Sequence, residues 1–302
     1  MIHTTTAPRT LGGDFLLGGD LPVRRIGFGT MQLTGPGHWD HPADMDNAKN
    51  VLRRAVEVGV NHLDTADAYG PHVTENLIRK ALHPYPPDLV IATKGGLTRQ
   101  GPNRWTPLGR PEYLRQCVEM SLRRLAVERI DLYYLHRIDP AVPLTDQLGA
   151  LADLQHAGKI RHLGLSKVTA DQIRQAADIV TVAAVQNRFH LVAADDPALA
   201  FCENAGIAYV PYAPLAAGGL LWARGSLDYF ARAHGTTPAQ LALGWLLTAS
   251  AVTLPIPGTS SISHLNDNVA TDLDNVPSAA LAAAVRAFRS SPRAASTVTG
   301  RP

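Results

Sequence analysis

Short, nearly continuous apolar runs alternate with amphipathic stretches along most of the chain. The runs are Ile26–Thr30, His62–Asp64, Leu89–Thr93, Asp131–Leu135, His162–Ser166, Ala183–Gln186, Ala208–Tyr212 and Val252–Ile256. Each is short and shows little in–out alternation, as expected for a parallel strand covered on both faces. Between them, helical periodicity predicts helices over Asp46–Val58, Pro111–Leu125, Leu144–His156, Ala170–Ala177, Asp196–Asn204 and Pro238–Leu247. The punctuation agrees. Asp44 or Asp46 caps the first helix and Gly59 stops it, Thr169 caps the fourth, Gly158 and Gly206 follow the third and fifth, and Pro238 fills a first-turn position.

Strand and helix alternating eight times predict an α/β fold of the (β/α)8 TIM-type barrel class. A β-hairpin precedes it, with Phe15–Leu17 and Val23–Ile26 flanking the turn-rich Gly18-Gly19-Asp20. No repeat or linker interrupts the pattern, so a single domain over 1–302 is expected, with flexible ends at 1–12 and 290–302. A hydrophobic fraction of 45% suffices for one large core, and a net charge of +2 is too small to argue for nucleic acid. Cys117 and Cys202 both fall in predicted helices, which argues for a reduced, cytoplasmic setting rather than a disulfide framework. Met1 to Pro8 has no apolar leader segment, and the greasy stretch Leu241–Ile256 is broken by Thr248, Ser250, Thr253 and Pro255. It falls short of the roughly 20 residues of a membrane span. A monomer that meets neither membrane nor nucleic acid is expected.

Catalytic groups of such barrels stand where strands end and loops begin. Asp64 with Tyr69, Lys94 and His136 hold that position after three successive predicted strands. Neighbouring strands lie about 4.8 Å apart, so these ends fall within roughly 10 Å of each other. A carboxylate, a phenol, an ammonium and an imidazole would then converge, a set suited to delivering one proton to an oxygen. A phenol with an ordinary pKa of about 10 is a poor acid near neutrality. A cation about 4 Å away is worth about 4 kcal/mol at an effective dielectric of 20, roughly three pKa units before desolvation. Lys94 can supply that charge, Asp64 can keep it protonated and oriented, and His136 can hold the substrate oxygen. Singly, each residue has an ordinary reading as cap or core, but as a set at adjacent rim positions they point to catalysis. No cluster of His and acids at the rim has the look of a metal site, which argues against a metal hydrolase.

These residues and the motifs around them resemble the aldo-keto reductase family. The likeness runs from Phe15 to about Phe288 through Gly27-Phe28-Gly29-Thr30-Met31, Asp64…Tyr69, Thr93-Lys94, Leu135-His136, Gly164-Leu165-Ser166, Val185-Gln186-Asn187, Pro257-Gly258-Thr259-Ser260 and Asn268. It implies NADPH binding without a Rossmann glycine loop, and reduction of aldehydes and ketones. It also implies that Ser166 and Gln186 hold the nicotinamide amide, that Tyr212 stacks on the ring, and that Ser260, His264 and Asn268 grip the adenosine end. Barrel phosphate sites follow strands seven and eight, which places Gly219, Leu220 and Gly258 beside the cofactor. Met31–Gly37, Tyr69–Thr74 and His83–Pro86 bring the chain nearest to the bacterial pyridoxal reductase-like branch, some of whose members carry Asn in place of His136. Pyridoxal or another aromatic aldehyde is therefore the expected substrate. Met31, Trp39 and Trp105 are expected as pocket walls. Arg137 would meet a polar or anionic substrate group or else form a rim ion pair with Asp139 or another acid.

Two departures stand out. Many relatives have Ser-Asn where this chain has Ser166-Lys167, and many carry a cation at the positions of Gly258 and His264. Charge for a 2′-phosphate is thinner here, so NADPH stays the favoured cofactor and NADH is left open beside it. The alternative to an enzyme is a nicotinamide-sensing regulatory subunit, as the potassium-channel β subunits of this family illustrate. Retention of all four rim groups favours the enzyme.

Overall fold

A computed structural model of the chain describes residues 11–216, 226–271 and 278–289. The chain opens with an antiparallel hairpin of β1 (Asp14–Leu17) and β2 (Leu21–Arg24). The first parallel strands are β3 (Phe28–Gly29), β4 (His62–Asp64) and β5 (Val90–Gly95). A second antiparallel hairpin, β6 (Leu97–Arg99) with β7 (Trp105–Pro107), then interrupts the alternation. The parallel set continues with β8 (Ile130–Leu135), β9 (Ile160–Ser166), β10 (Val182–Gln186) and β11 (Ala208–Tyr209). The seven parallel strands join in the order β3-β4-β5-β8-β9-β10-β11.

The predicted eighth strand, Val252–Ile256, closes this sheet without becoming a regular strand. Tyr209 N–H donates to Val252 O and its carbonyl accepts from Leu254 N–H, both at 2.8 Å. On the other side, Gly27 N–H donates to Pro255 O at 3.0 Å and Gly29 N–H to Pro257 O at 3.4 Å. The segment thus links the last strand to the first and completes the TIM-type barrel. Pro255 and Pro257 have no N–H, so a full ladder cannot form there and only an isolated bridge at Tyr209 and Thr253 remains.

Helices cover the outside. α1 (Met45–Glu57) is capped by Asp44, whose side chain accepts from Asn47 N at 2.8 Å. α2 (Val73–Leu82), α3 (Pro111–Leu125), α4 (Leu144–His156), α5 (Ala170–Ala177) and α6 (Pro197–Ala205) follow. Further helices span Ser226–Ala233, Pro238–Ala249, Ile262–Val269 and Ser278–Arg289. Their apolar faces pack on the outward side chains of the sheet, as Leu114 and Val118 do with Tyr133 and Leu135. The inward side chains, among them Val90, Ala92, Leu132, Tyr134, Ala184 and Leu254, fill the barrel. Gly164 must be glycine here, because a Cβ would collide with the Tyr134 ring.

Leu17, Leu21 and Val23 of the first hairpin join that inward cluster. Asp20 accepts from Arg161 Nη2 at 2.7 Å and bonds His162 Nε2 at 2.5 Å. Gly18, at φ +62°, leaves room for the His162 ring against the turn. Arg161 and His162 lie at the start of β9 and Ser166 at its end, so the hairpin stoppers one mouth of the barrel and the rim residues surround the other. Leu11, within the end expected to be flexible, is buried in the core. Residues 1–10 and 290–302 lie outside the described residues. Cys117 and Cys202 are both buried and unpaired. Among the described residues no helix is long and apolar enough to cross a membrane.

Candidate active site

Strand register sets the geometry of the rim. Asp64 ends β4 opposite Ala92 of β5, and Lys94 stands two residues further along β5. His136 follows β8 directly, its N–H bonded to Gly95 O at 2.9 Å. Tyr69 is brought back by the turn before α2, where its carbonyl accepts from Val73 N–H at 3.1 Å. The outcome is one buried constellation. Lys94 Nζ donates to Asp64 Oδ1 at 2.5 Å, to Thr65 O at 2.8 Å and to the Tyr69 hydroxyl at 3.3 Å. The second Asp64 oxygen accepts from Gln186 Nε2 at 2.7 Å. Lys94 is 0% exposed, Asp64 2%, His136 5% and Tyr69 7%. The Tyr69 ring meets His136 edge-on at 5.9 Å and Trp105 at 6.3 Å.

The electrostatics depart from the sequence expectation at one point. The Tyr69 phenol is pushed up, not down. Burial is the largest cause, and the Asp64 carboxylate adds to it against the pull of Lys94. Lys94 is the strongest pull the other way, but Asp64 at 2.5 Å from it offsets part of that pull, so desolvation wins. Burial pushes Lys94 down, yet Asp64 and Tyr69 outweigh it and its ammonium is held above the ordinary range. His136 is held far below its usual value by burial and by Lys94, Lys167, Arg137 and Arg99. Near neutrality the site therefore offers a protonated phenol, an ammonium and an uncharged imidazole.

A cavity of about 680 Å³ opens over this constellation. Asp64, Tyr69 and His136 reach it, and Lys94 lies behind them. The lining also includes Ser166, Gln186 and Tyr212, then Gly258, Ser260, His264 and Asn268, together with Met31, Trp105 and Arg137. Gly219 and Leu220 lie outside the described residues. Trp39 is a correction, since it does not line the cavity. Its ring centroid lies 5.4 Å from Arg99 Cζ, against 3.6 Å for the ring of Trp105. Arg99 also donates to Ala68 O at 2.5 Å and His38 O at 2.8 Å, fastening the β6–β7 hairpin to the Tyr69 turn.

Gln32, His38, Asn103, Lys167 and Asp267 line the cavity too. Lys167 carried a sequence signal, a cation after Ser166. Gln32, His38 and Asn103 sit in loops with no periodicity to mark them. Arg137 does not pair with Asp139, whose carboxylate instead accepts from Gly109 N at 2.8 Å and Ala141 N at 2.9 Å.

Behind the site, Asp67 is buried with Oδ1 unpartnered. Burial and then Glu75 push its carboxyl up from 3.8 to about 7. The folded protein thus keeps a proton that the unfolded chain releases. That contribution is complete below about pH 4 and is lost as pH rises through about 7. Asp67→Asn, neutral throughout, is expected to raise the melting temperature near about pH 8 and to leave it nearly unchanged near about pH 4. Equal shifts at both would remove titration as the cause.

The sequence model of the aldo/keto reductase family matches residues 25–276. The chain belongs to the aldo/keto reductase family. This aldo/keto reductase is 42% identical over 262 residues to pyridoxine 4-dehydrogenase of Escherichia coli, covering 84% of this chain and 91% of that one. It is 50% identical over 252 residues to an uncharacterized oxidoreductase of Schizosaccharomyces pombe, covering 83% and 82% of the two chains. Among solved structures, an aldo-keto reductase from Klebsiella pneumoniae in complex with NADPH superposes with a TM-score of 0.78 at 26% identity, over 93% of this chain and 96% of that one. The chain is thus an oxidoreductase of this family on the barrel the sequence predicted.

Proposed function

We propose that this aldo/keto reductase uses NADPH to reduce an aldehyde or ketone to an alcohol, with Tyr69 as proton donor and pyridoxal or another aromatic aldehyde as substrate. The observation that carries this reading is the single ammonium of Lys94 bridging Asp64 and the Tyr69 hydroxyl at the floor of the cavity. Bound NADPH would supply the hydride to the carbonyl carbon. The protein must then protonate the oxygen. Tyr69 can do so because it is held protonated, and Lys94 at 3.3 Å would stabilise the phenolate left behind. Asp64 keeps Lys94 charged and fixed. Neutral His136 can orient the carbonyl oxygen without contributing a charge of its own.

The cavity suits the cofactor. Ser166, Gln186 and Tyr212 would hold its nicotinamide end beside Tyr69, with Ser260, His264 and Asn268 at the adenosine end. Gly258 packs so closely on the Gly29 carbonyl that a Cβ would collide with it, which leaves bare backbone for a ligand to approach. The helix Ile262–Val269 that follows is capped by Ser261, and its remaining N-terminal N–H groups favour an anion.

Asp267 shares the wall with His264. A carboxylate there opposes a 2′-phosphate, consistent with use of NADH as well. Asp267→Asn is expected to raise the ratio of NADPH to NADH affinity several-fold, read by nucleotide fluorescence. An unchanged ratio would mean that this carboxylate does not face the phosphate.

The aromatic and thioether wall of Trp105 and Met31, with the 42% identity to the pyridoxine enzyme, supports the substrate class. Two buried thiols fit a cytoplasmic setting. The test is NADPH oxidation against an aldehyde panel that includes pyridoxal. Tight NADPH binding with no aldehyde or ketone turned over would point instead to a nucleotide-sensing role.

A further inference from the structure

Among the described residues, two cations in the cavity wall have no acid to balance them. β8 and β9 run in parallel with Leu135 opposite Leu165, so Arg137 and Lys167, two residues further on, are neighbours across strand ends. Such strands lie about 4.8 Å apart. Both side chains line the cavity. Burial and then Arg137 and Lys94 push the Lys167 ammonium down to about 8. Holding like charges together at partial burial is unfavourable unless something compensates.

Among the described residues, no carboxylate does. No ion pair includes either cation. Asp139 is taken up by backbone N–H groups, and Asp64 by Lys94 and Gln186. Arg137 Nε is buried without a partner. The backbone adds a separate sign. Lys167 has φ +58°, a left-handed conformation that lysine seldom adopts, and its N–H donates to Gln186 O at 2.9 Å. Its ammonium stands 5.3 Å from the Tyr212 ring centroid. An unfavourable backbone that brings a second cation beside the first needs a reason, and a bound anion supplies one.

We propose that Arg137 and Lys167 together seat an oxyanion carried by the carbonyl substrate, a carboxylate, phosphate or acidic hydroxyl. This deepens the carbonyl-reduction reading and rests on it. The anion belongs to the substrate and not the cofactor because the pair flanks His136, where the carbonyl oxygen is directed. The reduced nicotinamide ring carries no negative charge, and the phosphates of the cofactor lie beyond a ribose. A substrate of this kind is fixed at two points, its carbonyl oxygen at Tyr69 and His136 and its oxyanion at the pair. The pair therefore selects for acidity and for orientation at once.

The experiment compares kcat/KM for 3-formylbenzoate and 4-formylbenzoate with that for their methyl esters. The parent enzyme is expected to favour at least one acid over its ester by roughly tenfold or more. Lys167→Met and Arg137→Met should each cut that ratio several-fold, and Lys167→Arg should preserve it. Because the readout is a ratio within each variant, a general loss of activity does not move it. Benzoate and benzamide are also titrated against the enzyme–NADP⁺ complex, with tryptophan fluorescence as the signal. Benzoate affinity should fall in both Met variants while benzamide affinity does not. Ratios and benzoate affinities unchanged in the variants would overturn the anion seat while leaving carbonyl reduction standing. If neither acid nor ester is reduced, the aldehyde panel decides the reduction reading and the benzoate titration decides the seat, which stands if binding depends on the pair and falls if it does not.

Discussion

Tyr69→Phe is expected to lower kcat by roughly 10²–10⁴-fold, with NADPH affinity nearly unchanged. The phenyl ring keeps the edge-on contacts to His136 at 5.9 Å and Trp105 at 6.3 Å, so the wall of the cavity stays in place. Lys94, at 5.0 Å from the ring centroid, keeps its hold on the aromatic face. What disappears is the one hydroxyl that stands at the cavity and within 3.3 Å of the ammonium. A loss confined to kcat is the signature of an interaction made in the transition state. It is read from NADPH oxidation at saturating aldehyde, with nucleotide binding followed by fluorescence quenching. A variant that turned over at close to the parental rate would end the assignment of Tyr69 as the acid.

The second large effect concerns stability. Lys94→Met leaves the Asp64 carboxylate buried at 2% exposure with Gln186 as its remaining side-chain partner. Removing one member of a buried pair costs about 3–5 kcal/mol, because the other charge is stranded out of water. The melting temperature is expected to fall by on the order of 10 °C. Adding Asp64→Asn removes the stranded charge while keeping an acceptor for Gln186. The double variant should regain most of the stability and none of the turnover. If it melted no higher than the single variant, the pair would have no electrostatic claim on the fold.

Much of this site was readable from the chain because its residues sit at the ends of buried strands. Asp64, Lys94 and His136 each close an apolar run, and apolar runs are what sequence periodicity detects best. The weaker parts have specific causes. α2 went unread because His72, in left-handed conformation and with no side-chain cap bond, stands where Ser, Thr, Asp or Asn would announce a helix start. The β6–β7 hairpin was hidden by its exposure, since only Leu97 of that pair of strands is fully buried and no apolar alternation survives. It is nevertheless what brings Arg99 and Trp105 to the rim. The irregular closure at 252–257 follows from two prolines that were visible in the sequence. The place of Trp39 was not legible because residue type alone does not show which aromatic near a pocket reaches its wall. The rise of the Tyr69 pKa lay beyond sequence reasoning because it depends first on how completely the phenol is buried, and only then on the balance of Lys94 against Asp64.

The hairpin clasped by Asp20 onto Arg161 and His162 separates two duties along one barrel. Leu17, Leu21 and Val23 seal the packed interior at the end away from the rim. Stability and chemistry thus fall to opposite ends of the same strands, so the clasp can change in sequence without reaching the reacting groups.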